Sequence, residues 1–207
     1  MKPEEYKSTR FGLLRHAETI WNREKKIQGL RDSPLTPEGS QQARKWGALL
    51  SLHSWDRMLV SDIGRAVETA TRINSVLKIP LTTEKDLREQ DWGSWTGLTA
   101  REIKHNDPEV LAQQTETGWK FCPPHGEDRL SVWQRSHAAL CEAAANWPGE
   151  TILVVTHEGV IKSLIYHLSG RRFVPAEPPL IKSMHLHRLF HDGKGLQLGE
   201  LNALSMG

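Results

Sequence analysis

Cysteine is scarce in this sequence, and long apolar runs are missing. The 207 residues include only Cys122 and Cys141, which lack the CxxC spacing of zinc ribbons and thiol redox motifs. This pattern argues against a disulfide scaffold and is typical of a reducing cytoplasm. No segment reaches the roughly 20 apolar residues of a membrane-spanning helix, and residues 1–10 lack the apolar core of a signal peptide. We therefore expect a cytoplasmic protein with no membrane partner.

A large excess of charge is also missing. Lysine and arginine number 27 and the acidic residues 25, which gives a formal net charge of +2. No global field then attracts the chain to nucleic acid, and no nucleic-acid partner is expected. We also find no internal repeat, low-complexity segment or linker, so the sequence predicts a single domain over residues 1–207. The oligomeric state is left open.

One short apolar run ends abruptly in two functional side chains. Residues 11–14 are predicted to form a buried strand, and Arg15 and His16 follow directly. In an open α/β sheet, ligands bind in the crevice beyond the carboxyl ends of the strands. A guanidinium can bind two oxygens of an anion, and an imidazole can act as nucleophile, base or acid. The pair therefore points to chemistry on an anion.

Strands and helices alternate through the rest of the chain. Apolar runs predict strands over 57–61, 79–87 and 152–155, and the last is apolar enough for the centre of a parallel sheet. Two alternating runs, 184–190 and 196–201, predict a closing hairpin at the sheet edge. The pattern indicates an α/β fold with a mostly parallel sheet.

Helix starts are marked by capping residues between these strands. Thr36 and Thr99 are predicted caps, the latter in a capping box with Glu102, and Ser61 or Asp62 is predicted to cap a third helix. A further helix is predicted over 128–146, with Leu130, Trp133, His137, Leu140, Cys141 and Ala144 along its buried stripe. Residues 112–127 have little periodicity, and we predict a surface loop there.

Polar groups of complementary chemistry follow several of the predicted strands. Arg65 lies in the first turn of the helix after the second strand, Glu89 follows the third, and His157 follows the most apolar one. Phosphoryl transfer needs neutralised oxygens, an in-line nucleophile and a proton for the leaving oxygen. Two arginines can bind the oxygens, His16 or His157 can be the nucleophile, and Glu89 can supply the proton. This set requires no metal.

Four segments resemble signatures of the histidine phosphatase superfamily, in its phosphoglycerate-mutase-like branch. The first, Leu14-Arg15-His16-Ala17-Glu18-Thr19 with Asn22 and Gln28-Gly29, resembles RHGET-x-x-N. The other three resemble the second-arginine, acid and second-histidine segments of that family: Ser61-Asp62-x-x-Arg65-Ala66, Leu87-x-Glu89 with Gly93-x-Trp95-x-Gly97, and Thr156-His157-x-Gly159. All four occur in order across most of residues 11–168.

The resemblance implies a fold and a role for each matching residue. The fold would be a three-layer sandwich, phosphoglycerate-mutase-like, with helices on both faces of the sheet. His16 would become the phosphohistidine, and Glu89 would protonate the leaving group and then assist a water. The oxygens of the transferring group would be held by Arg15, Asn22, Arg65 and His157. No cofactor is implied, and the substrate would be a small phosphorylated metabolite.

Several further positions are candidate substrate contacts. Gln28 and Gly29 belong to the first segment, Thr19 could bond a phosphate oxygen or act as a cap, and Glu127 could contact substrate or cap a helix. Glu158 stands where the family often has glycine. It either faces the pocket, where it would repel phosphate or favour a cationic substrate, or points away as an acid at a helix N-terminus.

The sequence favours a phosphatase that transfers the group to water. A phosphoglycerate mutase and a catalytically silent phosphate-binding module are the alternatives. Dedicated mutases of the family carry a basic insertion after the acid segment, whereas residues 97–127 here are few and mixed in charge. We expect substrate selectivity to lie in residues 98–127. His185 and His187 share one strand face without a third ligand, so solvent-facing or edge positions are expected for them and no metal site is predicted.

Overall fold

A seven-stranded sheet forms the centre of this computed structural model, which describes residues 7–206. The strands are β1 (Thr9–Arg15), β2 (Arg57–Ser61), β3 (Leu81–Glu84), β4 (Thr151–Thr156), β5 (His185–His191), β6 (Leu196–Leu198) and β7 (Leu204–Ser205). Their order is β3-β2-β4-β1-β5-β6, with β7 paired to β5. The neighbours among β1 to β4 are parallel, and β5 pairs antiparallel with β1, β6 and β7. The mostly parallel sheet and its closing hairpin are therefore confirmed.

Seven α-helices connect the strands in the described part of the chain. They are α1 (Ile20–Arg23), α2 (Pro37–Leu50), α3 (Gly64–Leu77), α4 (Ala100–Asn106), α5 (Pro108–Thr115), α6 (Arg129–Asn146) and α7 (Glu158–Leu168). Short 3-10 turns occupy Lys85–Leu87, Gly93–Trp95 and Gly118–Lys120. Among these helices, none is long and apolar enough to cross a membrane. Residues 1–6 and 207, which belong to the predicted domain, lie outside the described residues.

The sheet carries one apolar core on each face. Successive side chains of a strand point to opposite faces, so Leu13 packs with Leu140 of α6 and Leu164 of α7. Leu14 instead packs in the second core, together with the buried side chains of α2 and α3. Helices thus cover both faces, and the three-layer sandwich is confirmed.

Some local predictions need correction. The N-cap of α3 is Ile63, without a side-chain cap bond, while Asp62 pairs with Arg88 and the Ser61 hydroxyl lies 2.8 Å from Nε2 of His157. Residues 108–115 form α5 inside part of the predicted loop, with Pro108 in the first turn, where its missing N–H costs nothing. The third strand stops at Glu84, and a 3-10 turn follows.

The buried stripe of α6 is also shifted from the predicted one. Its fully buried positions are Val132, Ser136, Ala139, Leu140, Ala143 and Ala144. Trp133 is only partly buried and stacks on His167, with ring centroids 3.5 Å apart. In the closing hairpin, His187 is buried rather than solvent-facing, and its Nδ1 accepts a hydrogen bond of 3.1 Å from the Asn202 N–H.

The register of the central strands brings their carboxyl ends together. Arg15, the last residue of β1, lies opposite Thr156, the last of β4. The His16 N–H donates to the Thr156 carbonyl at 2.9 Å. His16 and His157 therefore leave the sheet side by side, next to the end of β2.

Candidate active site

Two buried imidazoles lie side by side at the carboxyl ends of the strands. The ring centroids of His16 and His157 are 5.3 Å apart, with an angle of 58° between the ring planes. The side chains of both residues are shielded from solvent, at 3% and 0% exposure. Arg65, from the first turn of α3, reaches the same place and is 1% exposed. The structure thus brings together groups that are up to 141 positions apart in the chain.

The hydrogen bonds of His16 define its tautomer. Its Nδ1 lies 2.8 Å from the Ala17 carbonyl, which can only accept, so Nδ1 carries the proton. The Nε2 atom accepts from the Nε–H of Arg65 at 3.2 Å. Burial lowers the pKa of His16 well below its usual value, and the charges of Arg15 and Arg65 lower it further. The ring is therefore neutral at neutral pH, with a lone pair on Nε2.

His157 has one satisfied nitrogen and one without a partner. Its Nε2 lies 2.8 Å from the Ser61 hydroxyl, and no described group bonds to its buried Nδ1. Burial, with Arg65 and His16 nearby, lowers the pKa of His157 as well. If Ser61 donates to Nε2, then Nδ1 carries the proton and is available to an oxygen acceptor in the crevice.

Arg65 is fixed by backbone carbonyls of the loop after α1. Its two terminal nitrogens donate to the Gly29 and Arg31 carbonyls, each at 2.8 Å. Gly29 has a φ of +52°, which suits glycine. Besides its predicted contact with substrate, Gly29 orients the buried Arg65 guanidinium through its carbonyl.

Glu89 is held at the N-terminus of α7. Its carboxylate accepts from its neighbour's amide, Gln90 N–H, at 2.9 Å and from the Gly159 N–H at 3.3 Å. A Cβ atom on Gly159 would lie 2.3 Å from Oε1 of Glu89, which is far inside van der Waals contact. Glycine at position 159 therefore permits the carboxylate to reach the helix end.

Replacing Gly159 by alanine is expected to lower kcat about 10- to 100-fold by displacing the Glu89 carboxylate. The helix itself should tolerate alanine, whose helix propensity exceeds that of glycine by up to about 1 kcal/mol. Steady-state kinetics and thermal unfolding check the two effects separately. Gly195→Ala is the matched control, because a Cβ there meets no atom within 4 Å. Unchanged kcat in the Gly159 variant would contradict the proposed importance of the carboxylate position.

Glu127 lies behind the site, away from the cavity wall in the described structure, and its contact with substrate stays a prediction. Its carboxylate pairs with Arg135 of α6, through Nε at 2.7 Å and a terminal nitrogen at 2.9 Å. Arg135 also donates to the carbonyls of Asp86 and Glu89, at 2.7 and 3.2 Å. The pair therefore supports the segment that carries Glu89. Arg135 was not predicted from the sequence. The one signal for it was its position two turns into a predicted helix that follows an acidic residue.

Thr19 and Asn22 form the capping box of α1. Thr19 is fully buried and its hydroxyl accepts from the Asn22 N–H at 3.1 Å, so Thr19 caps α1, and its contact with a phosphate oxygen stays a prediction. The Asn22 side-chain oxygen accepts from the Thr19 N–H at 3.1 Å. Since the oxygen is used in the cap, the NH2 group of Asn22 is the part left for a ligand.

A cavity of about 350 Å³ opens above these groups. The predicted residues on its wall are Arg15, His16, Asn22, Gln28, Gly29, Arg65, Glu89 and Glu158. The wall also includes Lys26, Ile27, Gln90, Trp92, Arg129, Gly159, Lys162 and Phe173, which sequence reasoning had not placed there. Gln28 has a buried side-chain oxygen without a partner in the described structure. A larger cavity of about 650 Å³, beside the start of β1, contains none of the predicted catalytic groups.

None of residues 98–127 lines this cavity in the described structure, but Thr115 and Phe121 line a neighbouring cavity that shares Arg129, Lys162 and Phe173 with it. Their part in substrate selectivity stays a prediction. Arg129 is the cation on the wall that follows this segment. Its guanidinium lies between the rings of Phe121 and Phe173, 4.2 and 4.1 Å from their centroids. Burial lowers the pKa of Arg129 to about 10. The part of the cavity wall around Arg129 therefore combines positive charge with aromatic surface.

Glu158 faces the cavity, which corrects the alternative that it points away. Its two carboxylate oxygens pair with Arg15 at 2.5 Å and with Lys162 at 2.6 Å. Burial raises the pKa of Glu158, but Arg15 and Lys162 outweigh that effect and the net shift is downward. Glu158 is therefore ionised at neutral pH. Because both oxygens are already paired, a role in binding a cationic substrate group is disfavoured.

The sheet topology, the paired imidazoles and the surrounding arginines define an α/β enzyme of the phosphatase and mutase class. A family model described as histidine phosphatase superfamily (branch 1) matches residues 11–203, and the chain belongs to that superfamily. It is 35% identical over 185 residues to phosphoglycerate mutase-like protein 4 of Arabidopsis thaliana, covering 88% of this chain and 80% of that protein. It is 31% identical over 168 residues to the adenosylcobalamin/alpha-ribazole phosphatase of Escherichia coli, covering 81% of each.

A solved structure agrees with this assignment. Bacillus stearothermophilus YhfR superposes with a TM-score of 0.87 at 32% identity, covering 96% of this chain and 98% of that chain. The predicted family and fold are therefore confirmed.

Proposed function

We propose that this chain hydrolyses phosphomonoesters of small metabolites through a phosphohistidine formed on His16. The observation that carries the proposal is the neutral His16 ring, whose Nδ1–H is anchored on Ala17 while its Nε2 keeps a lone pair beside Arg65. A nucleophile must present a free lone pair where the negative charge of phosphate is neutralised. The His16 environment meets both conditions.

In the first step, Nε2 of His16 attacks phosphorus and the bond to the leaving oxygen breaks. The Arg65 N–H that rests on Nε2 turns to a phosphate oxygen as the substrate enters. Arg15, the Asn22 NH2 group and Nδ1–H of His157 bind the remaining oxygens. Glu89 gives its proton to the leaving oxygen, so the alcohol departs neutral.

In the second step, water replaces the alcohol. Glu89, now ionised, takes a proton from this water as its oxygen attacks phosphorus, and the bond to His16 Nε2 breaks. Phosphate is released and His16 and Glu89 return to their starting protonation states. The amides of Gln90 and Gly159 hold the Glu89 carboxylate in one place through both steps.

Water, rather than a second substrate hydroxyl, is our proposed acceptor. The segment 98–127 is short and mixed in charge, so it offers no long basic cover over a captive intermediate. A phosphoglycerate mutase is the alternative, and one relative is named as mutase-like. A silent binding module is a weaker alternative, because His16, Glu89 and His157 are all retained.

We further propose that the reaction needs neither metal nor cofactor, that residues 1–207 act as one domain, and that the protein works in the cytoplasm. The guanidinium groups of Arg15 and Arg65 supply the charge neutralisation that a metal ion provides in other phosphatases. The alpha-ribazole phosphatase name among its relatives supports a small phosphorylated metabolite as substrate.

Phosphate release from p-nitrophenyl phosphate, with and without a chelator, tests this proposal. We expect equal hydrolysis in both conditions. A second assay supplies 3-phosphoglycerate with trace 2,3-bisphosphoglycerate, and we expect phosphate release to exceed formation of 2-phosphoglycerate. Loss of activity with chelator would refute metal independence, and dominant isomerisation would make the chain a mutase.

A further inference from the structure

In this structure the Glu158 carboxylate is already paired with Arg15, one of the predicted phosphate ligands. Glu158, the first residue of α7, accepts from a terminal nitrogen of Arg15 at 2.5 Å. The two side chains are 26% and 36% exposed, and both lie on the wall of the catalytic cavity. The contact joins residues 143 positions apart, so it is a product of the tertiary fold.

The other predicted oxygen ligands are held differently. The Asn22 side-chain oxygen accepts from the Thr19 N–H, and Nε2 of His157 lies 2.8 Å from the neutral Ser61 hydroxyl. Arg65 donates mainly to backbone carbonyls, and the nearest carboxylate, Asp32, is 3.5 Å away. Among the predicted ligands of the phosphate oxygens, Arg15 is thus the one with a carboxylate at close hydrogen-bond distance.

We propose that Glu158 is a specificity-determining residue that competes with phosphate for Arg15. In the empty site it occupies the guanidinium, and an entering phosphoryl group displaces it. On product release the carboxylate returns to Arg15. Glu158 therefore lowers the affinity of the site for phosphate and limits inhibition by the product. This inference rests on the proposed function, since it needs Arg15 to be a phosphate ligand.

Lys162 makes the displacement feasible. A guanidinium binds carboxylate and phosphate oxygens with the same geometry, so one anion can replace the other. An ionised carboxylate beside a phosphate also repels it. Lys162 holds the second oxygen of Glu158 at 2.6 Å from one turn along α7. When Arg15 turns to phosphate, the carboxylate keeps this partner and is not left uncompensated.

Phosphate affinity of a Glu158→Gln variant tests the inference. Glutamine keeps the size of the side chain but removes the competing charge, and we expect phosphate to bind about three- to tenfold more tightly. Calorimetric titration with inorganic phosphate gives the Kd directly, and inhibition of p-nitrophenyl phosphate hydrolysis gives the Ki. Both constants should fall together. Lys162→Met should act in the opposite direction, because it leaves Glu158 with Arg15 alone.

Glu150→Gln is the matched control, since Glu150 makes a similar ion pair with Arg57 that is absent from the cavity wall. Its phosphate affinity should equal that of the wild type. Unchanged or weaker phosphate binding by Glu158→Gln would overturn the inference and make Glu158 a residue that only positions Arg15. Tighter binding without hydrolysis by the wild type would refute the proposed function and the role in product inhibition, whereas the competition between Glu158 and phosphate for Arg15 would stand. If none of these proteins bound phosphate, both the proposed function and the inference would be overturned.

Discussion

Substitution of His16 by alanine is expected to reduce kcat for p-nitrophenyl phosphate by at least about 10⁴-fold. Removal of a covalent nucleophile costs rate enhancements of about this order or more in enzymes that form such intermediates. No neighbouring group compensates, because the Nε2 atom of His157 is engaged with Ser61. Steady-state kinetics at saturating substrate, with a single-turnover measurement, give the loss.

Detection of the covalent intermediate is the more specific test of this prediction. Acid-labile, alkali-stable label from radioactive substrate should appear on the wild type and be absent from His16→Ala. His185→Ala, which changes a partly exposed histidine on β5, is the control and should keep normal turnover and labelling. If the His16 variant retained turnover within about tenfold of the wild type, the phosphohistidine mechanism would be wrong.

Glu89→Gln is expected to lower kcat by roughly 10² to 10⁴ for substrates with poor leaving groups. Such substrates need a proton on the departing oxygen, which glutamine cannot provide. The amide oxygen of glutamine can still accept from the Gln90 N–H, whereas its NH2 group cannot accept from the Gly159 N–H, so one of the two contacts should persist. For p-nitrophenyl phosphate the loss in the first step should be much smaller. Kinetics on alkyl and aryl phosphates measure this difference.

Glu102→Gln is a suitable control for the loss of a carboxylate, because Glu102 acts in the capping box of α4 and is absent from the cavity wall. It should leave kcat unchanged for both kinds of substrate. A loss in Glu89→Gln that is independent of the leaving group would argue against Glu89 as the proton donor. It would instead indicate an electrostatic or water-positioning role.

Much of the fold follows from short-range patterns. The apolar runs at 57–61 and 152–155 coincide with β2 and β4 to within one residue at each end. The capping boxes depend on contacts three residues apart, and the one at Thr99 and Glu102 is present as predicted. The shifted stripe of α6 shows the limit of this reasoning. Periodicity ranks faces by hydrophobicity, whereas small residues such as Ser136 and Ala143 lie where the helix packs most closely.

The residues of the site were likewise predictable only in part. Arg15, His16 and His157 were predictable because each stands at or just after the end of a buried strand, and parallel strands bring those ends to one edge. Glu127 and Thr19 were harder to assign because a polar side chain near a site can serve the backbone as well as a ligand. The Thr19–Asn22 capping box joins residues three apart and could have been predicted from the sequence, whereas the contacts of Arg135 with Glu127 and with the Asp86 and Glu89 carbonyls become known only in the folded chain.

Strand length, capping and residue chemistry are local properties, so the superfamily, the parallel strands and the imidazoles and guanidinium groups at their ends could be predicted from the sequence. How those groups are paired became known only in the folded chain. The Arg65 hydrogen bond to Nε2 of His16, the close approach of Gly159 to Glu89 and the Arg15–Glu158 ion pair all join residues distant in the chain. Hydrogen bonds and charges act over a few ångströms, and such short distances between remote residues exist only after the sheet and its helices have packed.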